Sequence, residues 1–174
     1  MNQMSEFIGP LKEKMIIYVS KFTNILFTAI YAYSIYFDYN FEALYKLCPV
    51  QGFYLSKFVW LTFVNLNMQL IYNFSAALVS LLNLNNKTIS CILHFIATSL
   101  VFPVGLTVSI LFWSLYYLDP SFLLNDDAEI VMSIPWFNHC IHTLPVLAMS
   151  VDFLVWRHNR PAWKVETEQE KLTL

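Results

Sequence analysis

The chain has few glycines, few charges and few cysteines for its length. Only three of its 174 residues are glycine, and only 13% are charged. The glycines lie at positions 9, 52 and 105, so the sequence contains no G-x-S-x-G turn, no phosphate-binding glycine loop and no dinucleotide fingerprint. The usual soluble hydrolase and nucleotide-binding folds are therefore excluded.

The cysteines and the charge balance exclude further classes. Cys48, Cys91 and Cys140 are an odd number at unrelated spacings, which gives neither a disulfide framework nor a structural zinc site. The formal net charge of -2, without a basic patch among the aromatic residues, gives no field that would attract DNA or RNA. We therefore expect no nucleic-acid partner.

The chain is instead rich in apolar residues, which make up 57% of it, with 17% aromatic. Such a composition indicates a bilayer as the solvent. Four runs, about 15–37, 58–82, 88–118 and 134–156, are long enough to cross roughly 30 Å of hydrocarbon at about 1.5 Å per residue. We predict an all-α, polytopic membrane helix bundle of about four transmembrane helices. The third run has Pro103 at its middle, which predicts one tilted, kinked helix.

The basic residues predict the orientation of these spans. Residues 1–14 lack the apolar core and cleavage site of a signal peptide, so the first run is expected to be an uncleaved anchor. With four spans both termini share a side, and that side holds eight of the ten basic residues: Lys12, Lys14, Lys21, Lys87, Arg157, Arg160, Lys164 and Lys171. The positive-inside rule places the tails, 1–14 and 157–174, in the cytosol. The endoplasmic reticulum and the plasma membrane are both open as locations.

Polar residues recur at helical spacing on the second span. Thr62, Asn65, Gln69 and Asn73 lie within about 60° of one another when each residue advances roughly 100° around the axis. In lipid these side chains need partners, so this face should turn toward the other helices or a wet cavity. The stripe is explained either as hydrogen bonding between helices or as part of a site.

A second polar group lies near the start of the fourth span, in the segment IPWFNHCIHTLPV. Asn138 and His142 are four residues apart and share one face, while His139 pairs with Thr143 on a neighbouring face. A buried neutral imidazole is suited to act as a general base. By helical rise, Thr62 and His142 lie roughly 6 and 12 Å from the same side of the membrane, close enough for a hydroxyl and an imidazole to meet.

Each of these residues also has an ordinary structural explanation. A threonine in a membrane helix usually donates its hydroxyl to the carbonyl one turn back. Histidines at i and i+3 with Cys140 between them are incomplete as a zinc or iron site, because no second cluster or buried carboxylate accompanies them. The sequence therefore predicts no metal and no cofactor.

Three segments together resemble the family of the androgen-induced protein and the androgen-dependent TFPI-regulating protein. They are WLTFVNLNMQLIY around Thr62, LVFPVGLTVSILFWSLYYLDP in the third span, and IPWFNHCIHTLPV around His142. The resemblance covers about half of the chain and implies a multi-span membrane enzyme, a threonine hydrolase that cleaves fatty acid esters of hydroxy fatty acids. It carries the catalytic threonine over to Thr62 and the catalytic histidine to His142.

On this reading Asn138 and His139 support the pair, and either Asn65 or Asn138 donates to the oxyanion, with Asn138 preferred because it shares a face with His142. The substrate is a lipid ester that reaches the site through the membrane. The alternative is a non-catalytic binding or regulatory subunit whose polar stripes only hold helices together. Labelling by a hydroxyl-directed phosphonate separates the two.

The chain departs from the family pattern at three places. Val59 stands where the family usually has a lysine, and Leu93 and His94 stand where it has an arginine and an aspartate. Family members continue through about two further spans beyond the position of Pro161. We therefore expect a short form, which leaves open an inactive truncated isoform and allows a homo-oligomer.

Overall fold

Most of the chain that the structure describes is helical. This computed structural model describes residues 2–42, 44, 48–50, 53–84, 86–123, 129 and 132–156; the predicted tail at 157–174 lies outside them. The elements are α1 (Asn2–Asn40), a 3-10 helix (Tyr54–Val59), α2 (Leu61–Leu81), α3 (Lys87–Ile96), a π-helical segment (Ala97–Val101), α4 (Phe102–Leu118), a short 3-10 helix (Pro120–Phe122), α5 (Pro135–His142) and α6 (Leu144–Trp156). The predicted all-α class is confirmed.

The bundle is apolar on its outside and partly polar on its inside. Large apolar side chains on four helices are at least 66% exposed, namely Tyr18, Phe22, Phe95, Leu118 and Leu154. Polar side chains are buried between the helices, among them Asn24, Ser34, Asn65, Gln69, Asn73, Ser109, Asn138, His142 and Asp152. Exposed apolar area is unfavourable in water by about 25 cal/mol per Å², so this distribution is the one expected of helices surrounded by lipid.

Two helical runs are long and apolar enough to cross a membrane, Lys14–Asn40 and Lys87–Leu118. The apolar run Leu144–Val155 is shorter. Helix α2 has 21 residues and carries the polar stripe, and it is not among these candidate spans. The membrane class is supported in this way, whereas the count of four spans and the cytosolic placement of both termini stay predictions.

The third predicted run is a single helical run with a local irregularity. Helix α3, the π-helical segment and α4 follow one another without a break from Lys87 to Leu118. Pro103 has no N–H to donate to the carbonyl one turn back, and the turn before it takes the wider π form. The irregularity predicted at Pro103 is therefore a π-helical turn that precedes the proline.

The fourth predicted run, 134–156, is divided into α5 and α6 at Thr143. Pro145 lacks the N–H that would bond the carbonyl of Ile141, and its ring crowds that carbonyl. Thr143 accordingly takes a φ of -110°, and the next backbone bond, from Leu147 to Thr143, is long at 3.5 Å. His142 becomes the last residue of α5, beside the break.

Polar contacts between helices define the two ends of the bundle. At one end, which we call the upper end, Lys57 Nζ donates to Asp38 Oδ2 over 2.8 Å. At the other, the lower end, Lys21 Nζ donates to Asn83 Oδ1 over 2.9 Å. Helix α1 is thus antiparallel to α2, which runs from the upper end to the lower end. The α5–α6 pair runs the same way, since Phe137 packs on Phe37 near the upper end and Asp152 contacts Tyr72 further down.

The contact between Asp38 and Lys57 is a buried ion pair. The two side chains are only 8% and 4% exposed, and the Tyr54 hydroxyl also donates to Asp38 Oδ2, over 2.7 Å. Lys57 Nζ lies 5.0 Å from the centre of the Tyr54 ring, within range of a cation–π contact. Burial, and then the hydrogen bond to Asp38, raise the pKa of the Tyr54 phenol above its usual value. These three residues, the upper ion cluster, fix the end of α1 against the start of α2.

Candidate active site

The polar stripe of α2 faces the interior of the bundle, as its spacing predicts. Asn65 and Gln69 are 0% exposed and Asn73 is 2% exposed, while Thr62 on the first turn of α2 is partly buried. Asn67, which lies off the stripe, donates its Nδ2 to the Phe63 carbonyl of its own helix over 2.8 Å. Asn65, Gln69 and Asn73 are therefore directed toward neighbouring helices.

Asn138 and His142 form the polar contact that their spacing predicts. His142 Nδ1 lies 2.7 Å from Asn138 Oδ1, and His142 is 3% exposed. An amide oxygen only accepts, so Nδ1 carries the hydrogen and donates, which leaves the lone pair of the imidazole on Nε2. The ring also stacks on Phe112, with 3.4 Å between ring centres and 4° between planes. One neighbour fixes the tautomer of His142 and the other fixes the plane of its ring.

His139 and Thr143 form the second predicted contact, on a more exposed face. His139 Nδ1 lies 3.1 Å from Thr143 Oγ1, and Trp113 donates its indole N–H to the same hydroxyl over 3.1 Å. The Trp113 and His139 rings stack with centres 5.5 Å apart. This network spans the break between α5 and α6 and ties it to α4.

The positions of Thr62 and His142 along the bundle axis can be compared through Gly105 on α4. A Cβ at Gly105 would lie 3.5 Å from Asn65 Oδ1 and 3.3 Å from Pro145 Cβ, so all three helices meet at this residue. Thr62 lies three residues before Asn65, and His142 lies three residues before Pro145, on segments that run in the same direction. Each is thus about 4.5 Å nearer the upper end than this contact.

The structure brings some predicted site residues together and leaves others apart. Asn138 contacts His142, and His139 contacts Thr143 rather than His142. The Thr62 hydroxyl makes no hydrogen bond to His142 or to another residue of the described ranges. Catalytic hydrogen bonds often form at full strength only when substrate is bound. The Oδ1 atom of Asn138 is thus engaged with His142, while its Nδ2 is the part of the amide that can donate to an oxyanion.

Metal ligands do not gather here. Within the part of the chain that the structure describes, no three side chains of histidine, cysteine, aspartate or glutamate come close enough together to hold an ion. Asp152, the buried carboxylate of α6, instead accepts a 2.6 Å hydrogen bond from the Tyr72 hydroxyl in the lower half of the bundle.

Sequence reasoning missed three residues around the site. Phe112 and Trp113 of α4 contact the two histidines, and Gly105 allows α2, α4 and α6 to meet. Their one signal in the sequence is their place in the third-span segment that carries the family resemblance. Their roles depend on contacts between helices that spacing along one helix does not reveal.

Comparison with known protein families shows which family the chain belongs to. A family model described as FAR-17a/AIG1-like protein matches residues 19–168, which include both candidate catalytic residues. The chain belongs to the FAR-17a/AIG1-like family. The resemblance drawn from the three segments is confirmed at this level.

Among curated relatives of this FAR-17a/AIG1-like chain is the androgen-dependent TFPI-regulating protein of Mesocricetus auratus. The two are 29% identical over 111 residues, which cover 61% of this chain and 48% of the relative. The chain thus spans about half the length of the curated relative that it matches. No solved structure matches it.

Proposed function

We propose that this chain hydrolyses ester bonds of lipids such as fatty acid esters of hydroxy fatty acids, with Thr62 as nucleophile and His142 as general base. The observation that carries the proposal is the hydrogen bond from His142 Nδ1 to Asn138, which leaves Nε2 as the proton-accepting atom in the bundle interior. The shared depth of Thr62 and His142 relative to Gly105 supports their pairing.

The reaction proceeds in two halves. Thr62 Oγ1 attacks the ester carbonyl carbon while His142 Nε2 takes the hydroxyl proton. The tetrahedral intermediate then breaks its bond to the hydroxy fatty acid, whose oxygen takes the proton from His142. An acyl group is left on Thr62, and a water molecule must remove it to complete the cycle.

A non-catalytic binding or regulatory role is the second candidate. It is favoured by the absence of a hydrogen bond between Thr62 and His142, which both lie in the described part of the chain. In that case the buried polar residues only pack the helices together, and a hydrogen bond between helices, such as the one from Trp113 to Thr143, contributes about 1 kcal/mol.

Labelling by an alkyl phosphonate probe distinguishes the two. The purified chain in lipid nanodiscs is treated with the probe, and the modified residue is located by mass spectrometry, alongside hydrolysis of a fatty acid ester of a hydroxy fatty acid. Thr62→Ala and His142→Ala should each lose labelling and lower hydrolysis about 10³-fold or more.

The matched control is Thr143→Val, since the Thr143 hydroxyl is already hydrogen-bonded to a histidine side chain. We expect this variant to keep its label. If Thr62→Ala stays labelled and Thr143→Val does not, the nucleophile is Thr143. If the wild-type chain takes up no label and hydrolyses no ester, the non-catalytic role is correct.

A further inference from the structure

Three buried polar side chains lie beside the candidate catalytic pair without a partner. Both polar atoms of Asn65, both of Gln69, and the Ser109 hydroxyl are buried and form no hydrogen bond to any residue of the described ranges. Leaving a buried polar group unpaired costs about 1–3 kcal/mol. Five such atoms together indicate that a bound molecule forms hydrogen bonds with them.

These atoms belong to one place in the bundle. Around the position of a Gly105 Cβ, Gln69 Nε2 lies at 3.1 Å and Asn65 Oδ1 at 3.5 Å. Ser109 is four residues beyond Gly105 on α4 and so lies on the same face, one turn nearer the upper end. We call Asn65, Gln69 and Ser109 the inner amide site.

The chemistry of the site selects its occupant. It offers two amide NH₂ groups, two amide oxygens and one hydroxyl, which are uncharged hydrogen-bond donors and acceptors. A species that both donates and accepts hydrogen bonds and carries no charge matches this set, and water is the smallest one. An anion or a cation would satisfy only the donors or only the acceptors.

We propose that the inner amide site binds the water molecule that releases the acyl group from Thr62, an inference that rests on the proposed function. Asn65 follows Thr62 by three residues on the same face of α2, so water held there lies about one helical turn from the acyl ester. Hydrolysis inside lipid requires a stored water, because the surrounding hydrocarbon supplies none.

The water held at the inner amide site is the second reactant of the release step. The water oxygen bonds to the acyl carbonyl carbon while His142 Nε2 takes one of its protons. The tetrahedral intermediate then breaks the bond from that carbon to Thr62 Oγ1, and Thr62 takes the proton back from His142. The product is a free fatty acid. Asn65, Gln69 and Ser109 position the water and touch neither the acyl bond nor the proton.

The test separates formation of the acyl-enzyme from its release. Wild type, Gln69→Leu and Ser109→Ala are mixed with ester substrate, and the mass of the intact protein is followed over time with product release. We expect each variant to form acyl-Thr62 at the wild-type rate but to release it at least 10-fold more slowly, so that the adduct accumulates. Ser109→Thr, which keeps the hydroxyl, should restore release.

Asn67→Leu is the matched control, because the same change is made on the same helix to an amide that bonds its own backbone. It should behave as wild type. Variants that fold and release the acyl group at the wild-type rate would overturn the inference. So would an equal fall in both steps, which would mean that the site binds the substrate. If wild type itself never becomes acylated on Thr62, the proposed function fails, and the inference fails with it.

Discussion

The upper ion cluster and the inner amide site are both buried polar groups in one half of the bundle, but their hydrogen bonding differs. In the first, Asp38 accepts from Lys57 and from Tyr54, at 2.8 and 2.7 Å. In the second, the amides of Asn65 and Gln69 have no partner in the described part of the chain. The protein itself supplies the hydrogen-bond partners of the upper ion cluster, whereas the inner amide site takes its partner from a ligand.

The difference separates a structural role from a functional one. Removing one member of a satisfied buried cluster destabilises the fold, because the other member is left without its partner. An unsatisfied cluster has no protein hydrogen bond to lose, so its removal should affect activity more than stability. The Tyr72–Asp152 pair is intermediate, since Asp152 Oδ2 accepts from Tyr72 while Oδ1 has no partner among the described residues.

The largest expected effect on stability is at the upper ion cluster. Lys57→Met leaves the buried Asp38 carboxylate without its cation and should lower the free energy of unfolding by about 3–5 kcal/mol. Denaturant unfolding in detergent micelles measures it. The double variant Asp38→Leu/Lys57→Met removes both charges and should recover most of the loss. A single-variant loss below about 1 kcal/mol would contradict the structural role of the pair.

A smaller loss is expected at the intermediate pair. Tyr72→Phe removes the donor to Asp152 and should lower the free energy of unfolding by about 1–3 kcal/mol, since a buried acceptor loses its hydrogen bond. The control is Tyr117→Phe, at a residue that is 79% exposed, which should change stability by less than about 0.5 kcal/mol. Equal effects in the two variants would show that the Asp152 contact contributes nothing.

The smallest effect on stability is expected at the inner amide site. Gln69→Leu removes no hydrogen bond to a described residue, so the free energy of unfolding should change by less than about 1 kcal/mol in either direction. Asn138→Leu is the contrasting variant, because it breaks the bond to His142 and should cost about 1–2 kcal/mol. A larger loss for Gln69→Leu than for Asn138→Leu would mean that Gln69 has a structural role after all.

Much of the fold follows from composition and local patterns. Long apolar runs predict helices in lipid, and a proline in such a run predicts an irregularity nearby. The form of the irregularity is less predictable. Pro103 is accompanied by a π-helical turn within a continuous helix, whereas Pro145 accompanies a full break at Thr143. Both prolines remove one backbone bond, and the packing around each turn determines how the chain accommodates the loss.

At the candidate site, the sequence predicts contacts within one helix better than contacts between helices. The His142 contact with Asn138 and the His139 contact with Thr143 were predicted from a spacing of four residues, and both are present. The stacking of His142 on Phe112, thirty residues earlier, was not predicted. Lys57 lies just outside the predicted second span, 58–82, yet it is buried against Asp38, nineteen residues away.

The sequence by itself determined that this is an all-α membrane protein with inward-facing polar stripes, because helical periodicity and hydropathy are properties of neighbouring residues. Only the tertiary structure decided which stripes meet and which atoms are left without partners. The meeting of α2, α4 and α6 at Gly105 depends on the absence of one Cβ and on the angles at which three helices pack. Such contacts arise from the shape of the whole bundle, which no single segment encodes.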